Sequence, residues 1–170
     1  MKIALVAMFL ATSTLAQAHS AALPAACGPK KANFDVKLDI SQHTPAQPEP
    51  GKAVVYFIQD AGTEPVGLDV YPISRLGVDG VWVGSNQKSS DFSISIEPGE
   101  HHMCATATFH LVGVGQPVAL ASFTAEAGKT YYYRTRLRLD PVTLDFDRID
   151  SDQAKYQIAS FPLSVSTPKK

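Results

Sequence analysis

This chain of 170 residues reads as an antiparallel β-sandwich, all β apart from one short C-terminal helix. Three observations lead there. About eight short segments alternate apolar and polar residues with a period of two, the signature of strands buried on one face. Glycine, proline and Asp-Gly signals separate those segments at short intervals. Helical character is confined to residues 150–160. A small closed barrel is the competing architecture.

The first segment is not part of the fold. Residues 1–18, MKIALVAMFLATSTLAQA, carry a positive Lys2, an apolar run at 3–11 too short to span a bilayer, and an A-x-A site at Ala16-Gln17-Ala18. That is a secretory signal peptide, cleaved near Ala18. It predicts a bacterial periplasmic or secreted protein, free of the membrane after cleavage. Lipid anchoring through Cys27 is disfavoured, because Pro24 stands where a lipobox wants an apolar residue and Cys27 lies well past the apolar run. Cys27 and Cys104 are the only cysteines. In an oxidising compartment an even pair bridges, so a Cys27–Cys104 disulfide is expected.

Residues 19–50 form an N-terminal arm with one strand and a proline-rich linker. In NFDVKLDI (33–40), Phe34, Val36, Leu38 and Ile40 share one face. SQHTPAQPEPG (41–51) is a linker or crossover. KAVVYFIQ (52–59) is apolar on both faces and belongs in the middle of a sheet. Residues 60–72 are a loop. In SRLGVDGVWVGS, Asp79-Gly80 between alternating apolar residues predicts a type I′ hairpin. Its register sets Val78 opposite Val81, Gly77 opposite Trp82 and Leu76 opposite Val83. Residues 84–91 are expected as a loop. Phe92, Ile94 and Ile96 mark the next strand, and Pro98-Gly99 turns it into HHMCATATF, where Met103, Ala105 and Ala107 face the core. Cys104 then points outward, so its bridge would staple the arm across the outside of the sheet. After a loop at 110–117, residues 117–125 form a strand. TYYYRTRLRL alternates Tyr131, Tyr133, Thr135 and Leu137 against Tyr132, Arg134, Arg136 and Arg138. Asp140-Pro141 turns the chain, and an even register puts Arg136 opposite Asp145 and Arg134 opposite Asp147. DSDQAKYQIAS has Asp or Ser available as helix N-cap. A sandwich domain over 51–163 is followed by a tail at 164–170.

The order of signals GKAVVYF, VGLDVYP, LGVDGVWVG, SIEPGEHHMCA, AEAGKTYYYR and SDQAKYQIAS resembles the DUF2846 family of bacterial exported proteins. It is also similar to PEGA-type and carboxypeptidase-regulatory-like small sandwiches. The resemblance covers about residues 51–163. It implies an immunoglobulin- or transthyretin-like sandwich at the cell envelope with no established activity, and it supplies no catalytic residues.

Four constellations bear on chemistry. His102 and Cys104 share a strand face and suit zinc or copper only if Cys104 is a free thiolate. Asp145, Asp147 and Asp150, with Asp152, cluster carboxylates, but without the spacing or central glycine of an EF-hand. Arg134, Arg136 and Arg138 form a ladder in which only Arg138, opposite Thr143, lacks an acidic neighbour and is left to meet an anionic ligand. Trp82, Tyr71 and Tyr132 are candidates for stacking on a sugar. No serine sits in a nucleophile elbow, and no motif calls for a cofactor. A formal net charge of −1 gives no electrostatic reason to seek nucleic acid. The expectation is an exported, non-enzymatic envelope module that binds or supports, with an envelope protein or a glycan as partner. The loops at 60–72, 84–91 and 110–117 are its contact surfaces. A small-ligand or glycan binder and a periplasmic metal-handling protein are the alternatives.

Overall fold

A computed structural model describes residues 23–41, 44–61, 72–108 and 115–170. The signal peptide, Tyr71, most of the 60–72 loop and the first part of the 110–117 loop lie outside the described residues. In chain order the elements are β1 (Phe34–Asp39), β2 (Ala53–Gln59), β3 (Ile73–Val78), β4 (Val81–Gln87), β5 (Ser90–Ile96), β6 (Gly99–Thr108), β7 (Val118–Ala125), β8 (Thr130–Leu139), β9 (Val142–Arg148), α1 (Ser151–Ser160) and β10 (Leu163–Pro168). The strands form two separate sheets, ordered β1-β10-β5-β2-β8-β9 and β4-β3-β6-β7. This is a sandwich and not a barrel, with ten strands in place of about eight.

The expected antiparallel pairing holds in the four-stranded sheet but not throughout the other. β2 runs parallel to β8, and β10 parallel to β5. The cause is topological. After β2 the chain crosses to the second sheet for β3 and β4, returns for β5, and crosses again for β6 and β7. β8 therefore enters beside β2 with no hairpin between them to reverse its direction.

Three local expectations are corrected. The tail expected at 164–170 is mostly a strand: Leu163–Pro168 pair with β1 from Phe34↔Pro168 to Asp39↔Leu163. Residues 84–91 are not a loop: Gly84–Gln87 complete β4, and β5 starts at Ser90 after a tight turn in which Lys88 takes a positive φ of 57°. In the Asp79-Gly80 hairpin, Val78↔Val81 and Gly77↔Trp82 pair as expected. A bulge between Leu76 and Gly77 then brings Leu76 opposite Gly84 rather than Val83. Gly84 is needed at that point, because a Cβ there would lie 2.6 Å from the Phe92 ring.

The main core fills the space between the sheets. Val55, Phe57, Phe92, Tyr131, Tyr133 and Phe146 of one sheet meet Leu76, Val78, Met103 and Ala105 of the other. β2 is buried on both faces because its alternate residues, Val54, Tyr56 and Ile58, pack under Ala154 and Ile158 of α1. Asp150 caps that helix, its side chain accepting from the backbone N–H of Asp152 and Gln153. A third cluster lies on the outer face of the four-stranded sheet, where Cys27, Trp82 and Cys104 pack with Leu23, Ala26, Ala32 and Phe34. The molecule is thus two sheets with a helix on one outer face and the N-terminal arm on the other.

Candidate functional site: a tyrosine-floored groove

The outer face under the arm is internally occupied. Cys27 and Cys104 form the expected disulfide, with Cα atoms 5.1 Å apart. Cys104 points away from the main core as its register requires, but the arm buries it completely. Its sulfur is therefore no thiolate ligand, and His102 stands beside it with an exposed side chain whose nearest carboxylate, Glu100, is 3.7 Å away. Among the described residues no three His, Cys, Asp or Glu side chains converge to hold a metal.

Trp82 is only 8% exposed. Its indole N–H donates to the Pro29 carbonyl at 2.8 Å, and the Arg75 guanidinium lies 4.6 Å from its ring centroid. The ring packs on the bare backbone of Gly77 and Gly28, where a Cβ would strike it. The indole is the anchor of the arm and has no open face for a sugar, which corrects its place among the stacking candidates. Arg75, which the sequence reading passed over, is the second anchor. It donates to the carbonyls of Lys30 and Ala32 and to Thr106 Oγ1. Burial lowers its pKa.

The arginine ladder is rearranged as well. The register is as expected, with Arg136↔Asp145, Arg134↔Asp147 and Arg138↔Thr143. The ion pairs do not follow that register. Arg138 Nε donates to Asp145 Oδ2 at 2.6 Å, so the arginine expected to be open to ligand is paired. Arg136 pairs with Asp60 at the end of β2, where Gln157 of α1 also donates, at 3.2 Å. Arg134 and Asp147 lie opposite each other without an ion pair. A long guanidinium reaches the next residue on the same face as easily as its direct neighbour. Asp145 is thus paired to Arg138 and Asp150 caps α1, so the expected carboxylate cluster is dispersed among structural roles.

One sequence candidate does line an open site. Tyr132 stacks on Tyr56, with centroids 5.5 Å apart and planes 26° from parallel. The pair floors a groove of about 810 Å³ between α1 and the segment that follows β1, within the size range of small-molecule sites. Ile40, Ser41 and Pro45–Gln47 make one wall. Ile158–Pro162 make the other, with Lys155 at the rim. Each wall has a local cause. Pro45 and Pro48 keep the linker extended, and the Tyr56 hydroxyl accepts the Ala46 N–H and fixes that wall over β2. Pro162 ends the helix and turns the chain into β10. Burial pushes the Tyr56 phenol up, with only partial relief from its hydrogen bonds to Ala46 and Ser93. Burial pushes Tyr132 up too. Both phenols therefore stay neutral at physiological pH and offer hydroxyls and ring faces without charge. Sequence reading found Tyr132 but missed the rest, because the groove joins segments near residues 40, 56, 130 and 160.

A last polar cluster sits at the hairpin tip. His101 Nδ1 lies 2.6 Å from Asp79 Oδ2, and its Nε2 lies 2.8 Å from the Glu97 carbonyl. Asp79 Oδ1 accepts the His102 N–H at 2.8 Å. No helix among the described residues is long and apolar enough to cross a membrane. In comparisons with known proteins, the chain matches no family, no curated protein and no solved structure.

Proposed function

We propose that this chain is an exported, non-enzymatic envelope module of the DUF2846 type, and that it works by binding a small ligand in the groove between α1 and the wall of Ile40, Ser41 and Pro45–Gln47. The observation behind this reading is the stacked Tyr56–Tyr132 pair at the floor of an open groove, while Trp82, Arg138 and Cys104 are all engaged within the fold. Walls that mix apolar side chains with hydroxyl and amide groups suit binding. The A-x-A site and the cysteine pair support export.

A thermal-shift screen of the oxidised protein tests this. The panel holds peptidoglycan fragments, glycans, amphiphiles and divalent metals. A ligand at a hundred times its dissociation constant adds about 2.7 kcal/mol, enough to raise the melting temperature visibly. The expected outcome is a shift by an organic ligand that Ala159→Trp, which fills the groove from an exposed helix position, removes. A shift that Ala159→Trp leaves intact would place the ligand elsewhere.

A further inference from the structure

We infer that the groove takes a single-chain amphiphile with an anionic head, an alkyl chain ending in a carboxylate or a phosphate. This rests on the reading of the groove as the ligand site and specifies its chemistry. Among the described residues Lys155 is the only charged side chain on the walls, and no carboxylate lines them. Its ammonium makes no ion pair among the described residues, unlike Lys52 and Lys169, which have acidic partners at 3.0–3.5 Å. A cationic ligand would meet like charge at the rim and no counter-charge within.

The apolar part has its own surfaces. Ile158, Phe161 and Pro162 form one apolar wall, facing Pro45 and Ile40. Ile40 is 90% exposed at the mouth, although its alternation with Phe34, Val36 and Leu38 marks it as a residue for burial. An alkyl chain lying along the groove would cover it. A cation at the rim with no ion-pair partner among the described residues, beside an exposed branched side chain and the apolar stretch of Ile158, Phe161 and Pro162, matches a molecule with one anionic end and one apolar length.

The test is calorimetric titration of the oxidised protein with decanoate, decyl phosphate and decyltrimethylammonium, each below its micellar concentration. Decanoate or decyl phosphate should saturate a single site, at least about tenfold more tightly than decyltrimethylammonium. Lys155→Gln should weaken the anionic ligand by about fivefold, the size of one exposed charge-assisted contact, and leave decyltrimethylammonium bound no more weakly than before. Ala159→Trp should abolish binding. Both substitutions are at exposed helix positions, and an unchanged melting temperature of the free protein verifies that they fold. Preference for decanoate points to a free acyl chain, and preference for decyl phosphate to a phosphorylated headgroup. Equal affinity for the cationic amphiphile, or no effect of Lys155→Gln, overturns the assignment. If the decyl compounds do not bind but a glycan does, and Ala159→Trp removes it, this inference falls and the groove reading stands. If nothing binds in the groove, both fall.

Discussion

His101 shows how one side chain can make fold stability depend on pH. Both ring nitrogens face acceptors, the Asp79 carboxylate and the Glu97 carbonyl, so only the imidazolium can donate to both. Burial pulls its pKa down, but the contacts with Asp79 and Glu97 outweigh burial and leave it raised above 6.5. For Asp79, burial pushes up, and the bonds from His101 and the His102 N–H outweigh it, leaving the carboxyl below 3.8. The two signs are opposite. The histidine's contribution is complete below pH 6.5 and is lost as pH rises through the folded value. The aspartate's contribution is complete above pH 3.8 and is lost as pH falls through its own. The clamp is therefore strongest between about pH 4 and 6.5. Partial exposure limits it to about 1 kcal/mol. Asp79→Asn tests this, since asparagine tolerates the positive φ of 51° at the turn. Its melting temperature should fall below the wild-type value by several degrees at pH 5.5 and by less at pH 8.5. A gap that does not change with pH would show that the His101–Asp79 pair contributes nothing. The other charged groups near this corner, Glu97, Glu100 and His102, are exposed at the surface and are present in both proteins.

Elements were legible where their side chains obey a period. The Asp79-Gly80 hairpin, the helix with its Asp150 cap and the doubly buried β2 all follow from local pattern, and each is found where pattern places it. β10 was not legible because its pattern is inverted. Its Ser164 is buried and donates to the Ser85 carbonyl at 2.7 Å, and Ser166 Oγ accepts the Ser85 N–H at 3.1 Å, while Val165 stands in solvent. Hydropathy reads such a segment as a tail, although its serines bind the edge of the opposite sheet. The bulge at Leu76/Gly77 and the ion pairs of Arg136 and Arg138 escape pattern for a related reason. Register fixes which backbones meet, and packing decides which side chains do. The groove was out of reach because it joins four distant segments. The role of β10 leads to a specific expectation. β1 has its ladder partner in β10 among the described residues, so a chain ending at Pro162 should leave β1 without backbone partners. Hydrogen exchange should show the amides of residues 34–39 at nearly unfolded rates, while the β2–β8 ladder keeps its protection. Protection retained in β1 would mean that its packing against β4 alone holds it.

At the scale of the whole molecule, the two outer layers are built independently. The arm is held by the disulfide, by Trp82 Nε1 on Pro29 and by Arg75 on Lys30 and Ala32. The groove lies on the opposite outer face, and its wall of Ile40, Ser41 and Pro45–Gln47 is separated from the arm by the six-residue ladder of β1 with β10. The disulfide closes a loop across a sequence separation of 77 residues. In the chain-entropy account such a crosslink stabilises by about 4–5 kcal/mol, an effect exerted mainly on the unfolded chain. The paired substitution Cys27→Ser, Cys104→Ser should therefore lower the denaturation midpoint substantially while leaving the folded arm in place. Trp82 is the only tryptophan, so its emission reports on the arm alone. Below the transition the emission should remain that of a buried indole, because the Pro29 bond and the Arg75 contacts do not need the disulfide. Distant, unconnected sites add in free energy, so a groove ligand should raise the variant's melting temperature by about as much as the wild type's. A red-shifted emission in the folded variant would show that the crosslink, rather than Trp82 and Arg75, seats the arm. A ligand shift lost together with the disulfide would show that the two faces are coupled through β1, and that the groove's wall depends on an anchor on the far side of the sandwich.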